Sequence, residues 1–173
     1  MEWNKVFYYS PQDGLLRWKE QDACSFARPR DAKRFNLMYS HNVAGNPNSS
    51  GYLKLSYRGA CYYVHRIVWE MLNGPIPDGM VIDHANKDKS DNRISNLRLA
   101  TVTQNVANSK ARSHNKSGIK GVRFVSGKAR PWRARIGHLG KDLHLGYYES
   151  KEDARSAYRR AASLLYGEFA API

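Results

Sequence analysis

Asp83 and His84 stand side by side at the end of a short apolar run, Met80-Val81-Ile82, where the chain enters a polar loop. If the run is a strand, neighbouring side chains leave it on opposite sides, so the carboxylate and the imidazole address different parts of one cleft. One carboxylate, one amide oxygen from Asn105 on the segment that follows, water and a substrate phosphate form the oxygen shell in which Mg²⁺ is usually carried. A neutral imidazole beside such an ion can take a proton from water. The ion would stabilise the charge that develops on the phosphorus and on the leaving oxygen. The implied chemistry is phosphodiester hydrolysis. Asn108 lies close to one helical turn beyond Asn105 and competes for the second ligand position. A calcium loop starting at Asp83 is excluded, because its sixth position is Asp88 rather than Gly and its twelfth is Ile94 rather than Glu.

These residues need a frame. The pattern predicts a strand through Ile82, a polar loop, a return strand over Asn96–Ala100, and a helix capped by Thr101 or Thr103 that runs to about Lys110. Ahead of it, Val64, Ile67, Val68, Met71 and Leu72 recur at helical spacing, and Asn73-Gly74-Pro75 ends that helix. Near the N-terminus, Phe7-Tyr8-Tyr9 and Leu15-Leu16-Arg17-Trp18 flank Asp13-Gly14 as a two-stranded ribbon. The polar stretch from Lys19 to Ser40 shows little periodicity and reads as a long loop. Gly51 to Tyr63 reads as two strands turning at Arg58-Gly59. Beyond residue 117, strands are expected over Ile119–Val125, Trp132–His138 and Leu143–Tyr148. A closing helix starts at Ser150, carries a stripe of alanines suited to close packing on a sheet, and stops at Gly167.

The expected fold class is therefore α+β. It comprises a small β-rich module (1–62), a central strand–strand–helix unit (63–110), a basic linker (111–117), and a three-stranded antiparallel sheet packed on one helix (118–173).

Charge points to the partner. Lys and Arg total 28 against 15 Asp and Glu, a net of +13, which excludes an acidic solvating protein and favours a polyanion. The excess is concentrated in the last third, and no carboxylate falls between Asp91 and Asp142. In Trp132-Arg133-Ala134-Arg135-Ile136 the alternation puts arginine on one face of a strand and core residues on the other. No apolar run is long enough to cross a bilayer. Cys24 and Cys61 make neither a disulfide framework nor a metal pair.

Two resemblances sharpen this reading. Val64-His65-Arg66-Ile67-Val68, Asn73-Gly74-Pro75-Ile76-Pro77, Val81-Ile82-Asp83-His84 and Asp91-Asn92-Arg93-Ile94-Ser95-Asn96-Leu97-Arg98 together resemble the H-N-H endonucleases of phages and mobile introns, a ββα-metal family. The resemblance implies His84 as the general base, Asp83 and Asn105 as ligands of one Mg²⁺ or Mn²⁺, and Asn96 as the residue that fixes the loop and orients the base. Gly118-Ile119-Lys120-Gly121-Val122-Arg123, Trp132–Ile136, Leu145-Gly146-Tyr147-Tyr148 and Glu152–Tyr158 are similar to the APETALA/ethylene-response DNA-binding domain. That resemblance implies a sheet laid in the major groove, with Arg123, Trp132, Arg133 and Arg135 facing DNA. Lys116, in a linker expected to track the backbone, and Lys120 are further DNA-binding candidates. Trp132 also reads as core packing.

The function expected is a metal-dependent, homing-type endonuclease acting on double-stranded DNA in the cytoplasm of a phage's bacterial host. It needs an imidazole open to solvent, no organic cofactor and no membrane, and it works as a monomer or weak dimer. The alternative is a sequence-specific DNA-binding regulator whose nuclease centre is inactive.

Overall fold

The computed structural model describes residues 2–111 and 113–170, so Met1, Arg112 of the expected linker, and residues 171–173 lie outside the description. The fold is mixed α+β, with small antiparallel sheets and four helices among the described residues. It divides into two compact units, Met1–Leu99 and Ala100–Ile173.

In the first unit a 3₁₀ turn at Trp3–Lys5 leads into β1 (Phe7–Ser10) and β2 (Leu15–Trp18), paired antiparallel with Phe7 opposite Trp18. Alternation buries Phe7 and Tyr9 from one strand and Leu16 and Trp18 from the other. Next comes α1 (Pro29–Tyr39), where a long loop is expected from the sequence. Pro29 stands in its first turn, where its fixed φ suits the helix and its missing N–H costs nothing. The helix leaves almost no periodic signal because Ala32 is its one fully buried residue. Side-chain hydrogen bonds anchor it instead. Asn36 accepts from the Gln21 amide through Oδ1 (2.9 Å) and donates to the Gln21 carbonyl (2.9 Å).

The chain continues through β3 (Asn46–Pro47), β4 (Leu53–Tyr57) and β5 (Ala60–Tyr63), an antiparallel sheet in that order. Arg58 (φ 49°) and Gly59 (φ 78°) form the two-residue β4–β5 turn, both left-handed as a twisted hairpin requires. Helix α2 (Val64–Asn73) buries Val64, Ile67 and Val68 on one stripe and stops at Gly74. A hairpin of β6 (Met80–His84) and β7 (Leu97–Thr101) follows, with a 3₁₀ turn at Ile94–Asn96 before the return strand.

The boundary expected at residue 62 is not there. Trp3, Phe7 and Leu16 share one core with Val64, Ile67, Val68, Ile82 and Leu97. Each such side chain contributes about 1.5–3 kcal/mol by leaving water, so the N-terminal segment and the central hairpin stabilise each other.

In the second unit, α3 (Val102–Asn108) starts on a reciprocal cap. The Thr101 hydroxyl accepts from the Gln104 N–H, and the Gln104 side chain accepts from the Thr101 N–H. The helix is shorter than the expected run to Lys110. The sheet follows the order β10 (Lys141–Tyr148), β9 (Trp132–His138), β8 (Val122–Phe124), and α4 (Lys151–Tyr166) packs on it. β8 begins three residues later than the pattern predicts. Gly121 is left-handed (φ 71°) and lies so close to the Tyr158 ring and the Arg135 carbonyl that no Cβ fits. Ile119 is held in a turn, its carbonyl accepting from Val122 N–H (3.1 Å). Ala154, Ala157 and Ala162 bring α4 down onto Ala134 and Ile136. Cys24 and Cys61 are free and exposed. No helix among the described residues is long and apolar enough to cross a membrane.

Candidate nuclease centre and basic sheet

The loop between β6 and β7 is braced from within. Asn96, 8% exposed, uses both ends of its amide: Oδ1 accepts from Asn86 N–H (2.9 Å) and Nδ2 donates to the Asp91 carbonyl (2.8 Å). Its own carbonyl accepts from Ala85 N–H (2.9 Å), which ties the return strand to the residue after His84. Asp91 receives Asn86 Nδ2 (2.8 Å) and the Arg93 guanidinium (2.6 Å), and Arg93 holds its carboxyl down at about 2.

His84 is 3% exposed, and Tyr52 and His65 pack against its ring at centroid distances of 5.8 and 5.0 Å. The expectation of an imidazole open to solvent is therefore not met. Its Nε2 lies 3.1 Å from Asn92 Oδ1, and Asn92 Nδ2 donates to the Ser90 carbonyl (3.2 Å). With the amide oriented by Ser90, the Asn92 oxygen must accept. The proton of neutral His84 then sits on Nε2, which makes Nδ1 the basic nitrogen. Burial pulls the imidazole below its ordinary range, opposed by the Asn92 bond and the Asp83 charge. The neighbouring His65 is driven to about 3, first by burial and then by His84 and Arg66.

Sequence reading passed over Asn92, which is 1% exposed and bonds directly to the imidazole. The N-terminal ribbon supports it. Tyr9 Oη accepts from Ile94 N–H (2.9 Å) and donates to the Asn92 carbonyl (3.3 Å). Gly14, at φ 71°, lies where a Cβ would collide with the Asn92–Arg93 backbone. The Asp-Gly turn, visible in the sequence as a hairpin signal, thus abuts the backbone on either side of the Asn92–Arg93 peptide.

Asp83 is 4% exposed and meets Arg98 of the neighbouring strand. Arg98 Nε donates to its Oδ2 (3.0 Å), and Nη2 lies 2.9 Å from the same oxygen. Among the described residues no group of three or more His, Cys, Asp or Glu side chains could hold a metal. A single hard cation needs few protein oxygens, the rest being water and phosphate, and the Asp83 carboxylate is a donor of that kind, with Arg98 bonded to its Oδ2. Asn105 and Asn108 both lie on α3 in the second unit, Asn105 half-buried and Asn108 3% exposed.

In the second unit Arg123 pairs across the sheet with Arg133, and Arg135 shares the face of Arg133 by strand parity. Arg123 and Arg135 are exposed, Arg133 half-buried. Arg135 is 2.6 Å from Asp142. Trp132 shares the parity of Ala134 and Ile136, so it belongs to the helix-facing side and not to the arginine face. It stacks edge-on against Phe124 at 5.3 Å. Lys116 is exposed. Lys120 is not displayed for DNA: its ammonium donates to the carbonyls of Val106, Ala107 (2.9 Å) and Ser109 (3.1 Å), closing the C-terminal end of α3.

A family model described as HNH endonuclease matches residues 62–107. An uncharacterized HNH endonuclease of Acanthamoeba polyphaga mimivirus is 36% identical over 124 residues, covering 71% of this chain and 63% of that protein. The chain thus spans a little under two thirds of that relative's length. Protein 3.8 of Escherichia phage T7 is 36% identical over 106 residues, 61% of this chain and 86% of its own. The HNH homing endonuclease I-HmuI, solved in a study of its DNA binding and cleavage, aligns at 22% identity and a TM-score of 0.40, over 58% of this chain and 49% of that one.

Proposed function

Because residues 62–107 match the HNH endonuclease family model and a mimivirus relative is named an HNH endonuclease, we propose that this chain is a metal-dependent endonuclease hydrolysing phosphodiester bonds in double-stranded DNA. The observation that carries the reading is the anchored imidazole: His84 bonded through Nε2 to a buried Asn92, inside a loop braced by Asn96. In the tautomer with its proton on Nε2, Nδ1 would be the nitrogen that takes a proton from water, which requires the ring, 3% exposed here, to be uncovered when substrate binds, and the Asn92 bond would hold it in place as charge develops. Asp83 would hold one Mg²⁺ or Mn²⁺, with Asn105 as the second oxygen by its motif position, and Asn108 as its rival. The bound ion would supply charge stabilisation at the scissile phosphate. Asn96 acts through the loop and positions His84.

The second unit would supply affinity. Its arginine face, with Arg123, Arg133 and Arg135, and Lys116 in the linker, suits phosphates and guanine edges. The resemblance to the APETALA/ethylene-response domain supports this use of the sheet. Similarity to a phage T7 protein supports a phage-encoded enzyme. It would be of the homing type, acting in a bacterial host's cytoplasm as a monomer or weak dimer.

A specific observation also favours a second reading, a DNA-binding regulator without cleavage: His84 is 3% exposed and Asp83 is bonded to Arg98. Incubating supercoiled plasmid with the chain in Mg²⁺, in Mn²⁺ and in chelator separates the two. The nuclease reading expects metal-dependent nicking that His84→Ala abolishes while DNA binding stays within a few-fold. Binding without cleavage in either metal establishes the regulator.

A further inference from the structure

Within the first unit a cleft of about 660 Å³ is lined by residues of β2, α1 and the β4–β5 hairpin. That volume falls in the range of roughly 300–1,000 Å³ typical of ligand sites. Asp83, His84, Asn92 and Asn96 do not line it, so it is separate from the proposed cleavage centre.

Its walls are aromatic. Trp18, itself buried, meets Phe35 edge-on at 5.3 Å, and Phe35 touches Phe26 at 5.5 Å and Tyr39 at 5.0 Å. Tyr57 also lines the cleft and packs on Trp18 at 6.1 Å. Phe26, Phe35 and Tyr57 are half-buried and Tyr39 is 42% exposed, so the rings present surface to the cleft. Arg58 lines it as a cation and no carboxylate does, while the ammonium of Lys54, also at its edge, lies over the Tyr63 ring at 4.4 Å. The left-handed turn at Arg58-Gly59 places the Arg58 guanidinium 5.3 Å from the Tyr57 ring centre.

Flat rings beside a cation that no carboxylate of the cleft neutralises match one chemistry well. A base inside a duplex shows only its edge, whereas an unstacked base offers the face that such rings receive, and its phosphate needs the cation. We propose that this cleft binds a short run of single-stranded DNA, with a base stacked on Phe35 and a phosphate on Arg58. It rests on the nuclease reading only in taking DNA as the partner, and it gives the first unit a grip on unpaired nucleotides beside the cut strand. The acidic linings that basic peptides require are absent, and an acidic peptide would leave the rings unused.

The test is fluorescence anisotropy of a labelled oligodeoxythymidine of about four nucleotides, long enough for one such site and too short for a duplex groove. The full chain is used, in parallel with plasmid nicking. Arg58→Ala should weaken binding about fivefold and lower the salt slope by roughly 0.7 for the phosphate no longer neutralised. Phe35→Leu, which retains apolar bulk but no flat ring, should weaken it at least about fivefold. Unchanged affinity in both variants overturns the proposal, as does displacement of the oligonucleotide by poly-glutamate at equal charge concentration. Loss of plasmid nicking with intact oligonucleotide binding would refute the nuclease reading alone.

Discussion

Replacing Asn92 by Ala probes the claim that a buried amide orients His84. Both groups are at most 3% exposed, so the substitution leaves the Nε2 proton without its acceptor in a place water reaches poorly, and also frees the Ser90 carbonyl. An unsatisfied buried group costs about 1–3 kcal/mol, and urea unfolding should show a loss in that range. The catalytic effect is separate. Removing the partner that fixes a functional imidazole typically costs about 10–100-fold, so initial nicking rates at saturating metal should fall by that factor, at a temperature where the variant stays folded. Asn92→Asp keeps an acceptor for Nε2 and should recover most of the rate lost by Ala, though not all of the stability. If Asn92→Ala is destabilised as expected yet nicks at the wild-type rate, the bond serves only the loop, and the tautomer argument is wrong.

Asp83→Asn should abolish any rise in melting temperature on adding Mg²⁺ or Mn²⁺, measured by thermal shift; a retained rise removes Asp83 from the ligand set. Gly14→Ala should destabilise the first unit by more than about 1 kcal/mol, because its left-handed φ and its contact with the Asn92–Arg93 backbone both oppose a Cβ; urea midpoints decide. Burial pushes the Tyr158 phenol up to about 12, against 10.0 for the free side chain. Its contribution is therefore complete below pH 10 and lost as pH rises toward 12, about 1.4 kcal/mol by pH 11. Tyr158→Phe should remove that part of the difference between unfolding at pH 8 and at pH 11, and an unchanged difference refutes it. Arg123→Ala should reduce the salt slope of duplex binding by about 0.9, while Arg135→Ala, whose charge is already opposed by Asp142 at 2.6 Å, should change it less.

Some of this protein is legible from its chain of residues because the causes are local. The Thr101 and Ser150 caps, the glycine stops at 74 and 167, the helical spacing from Val64 to Val68 and the alternation over Trp132–His138 all act within a few residues. The adjacency of Asp83 and His84 is likewise a property of the sequence. What depended on tertiary structure was decided by contacts between distant segments, which leave no periodic trace. Helix α1 is anchored by Asn36 on Gln21 and buries only Ala32, so a polar stretch gives it no pattern. The boundary at residue 62 vanished because Trp3 and Phe7 join the same core as Val68 and Ile82. Lys120 looked like a ligand for phosphate until three backbone carbonyls at the end of a helix took its donors. Asn92 became a partner of His84 only when the loop closed, with the β1–β2 ribbon held against its backbone.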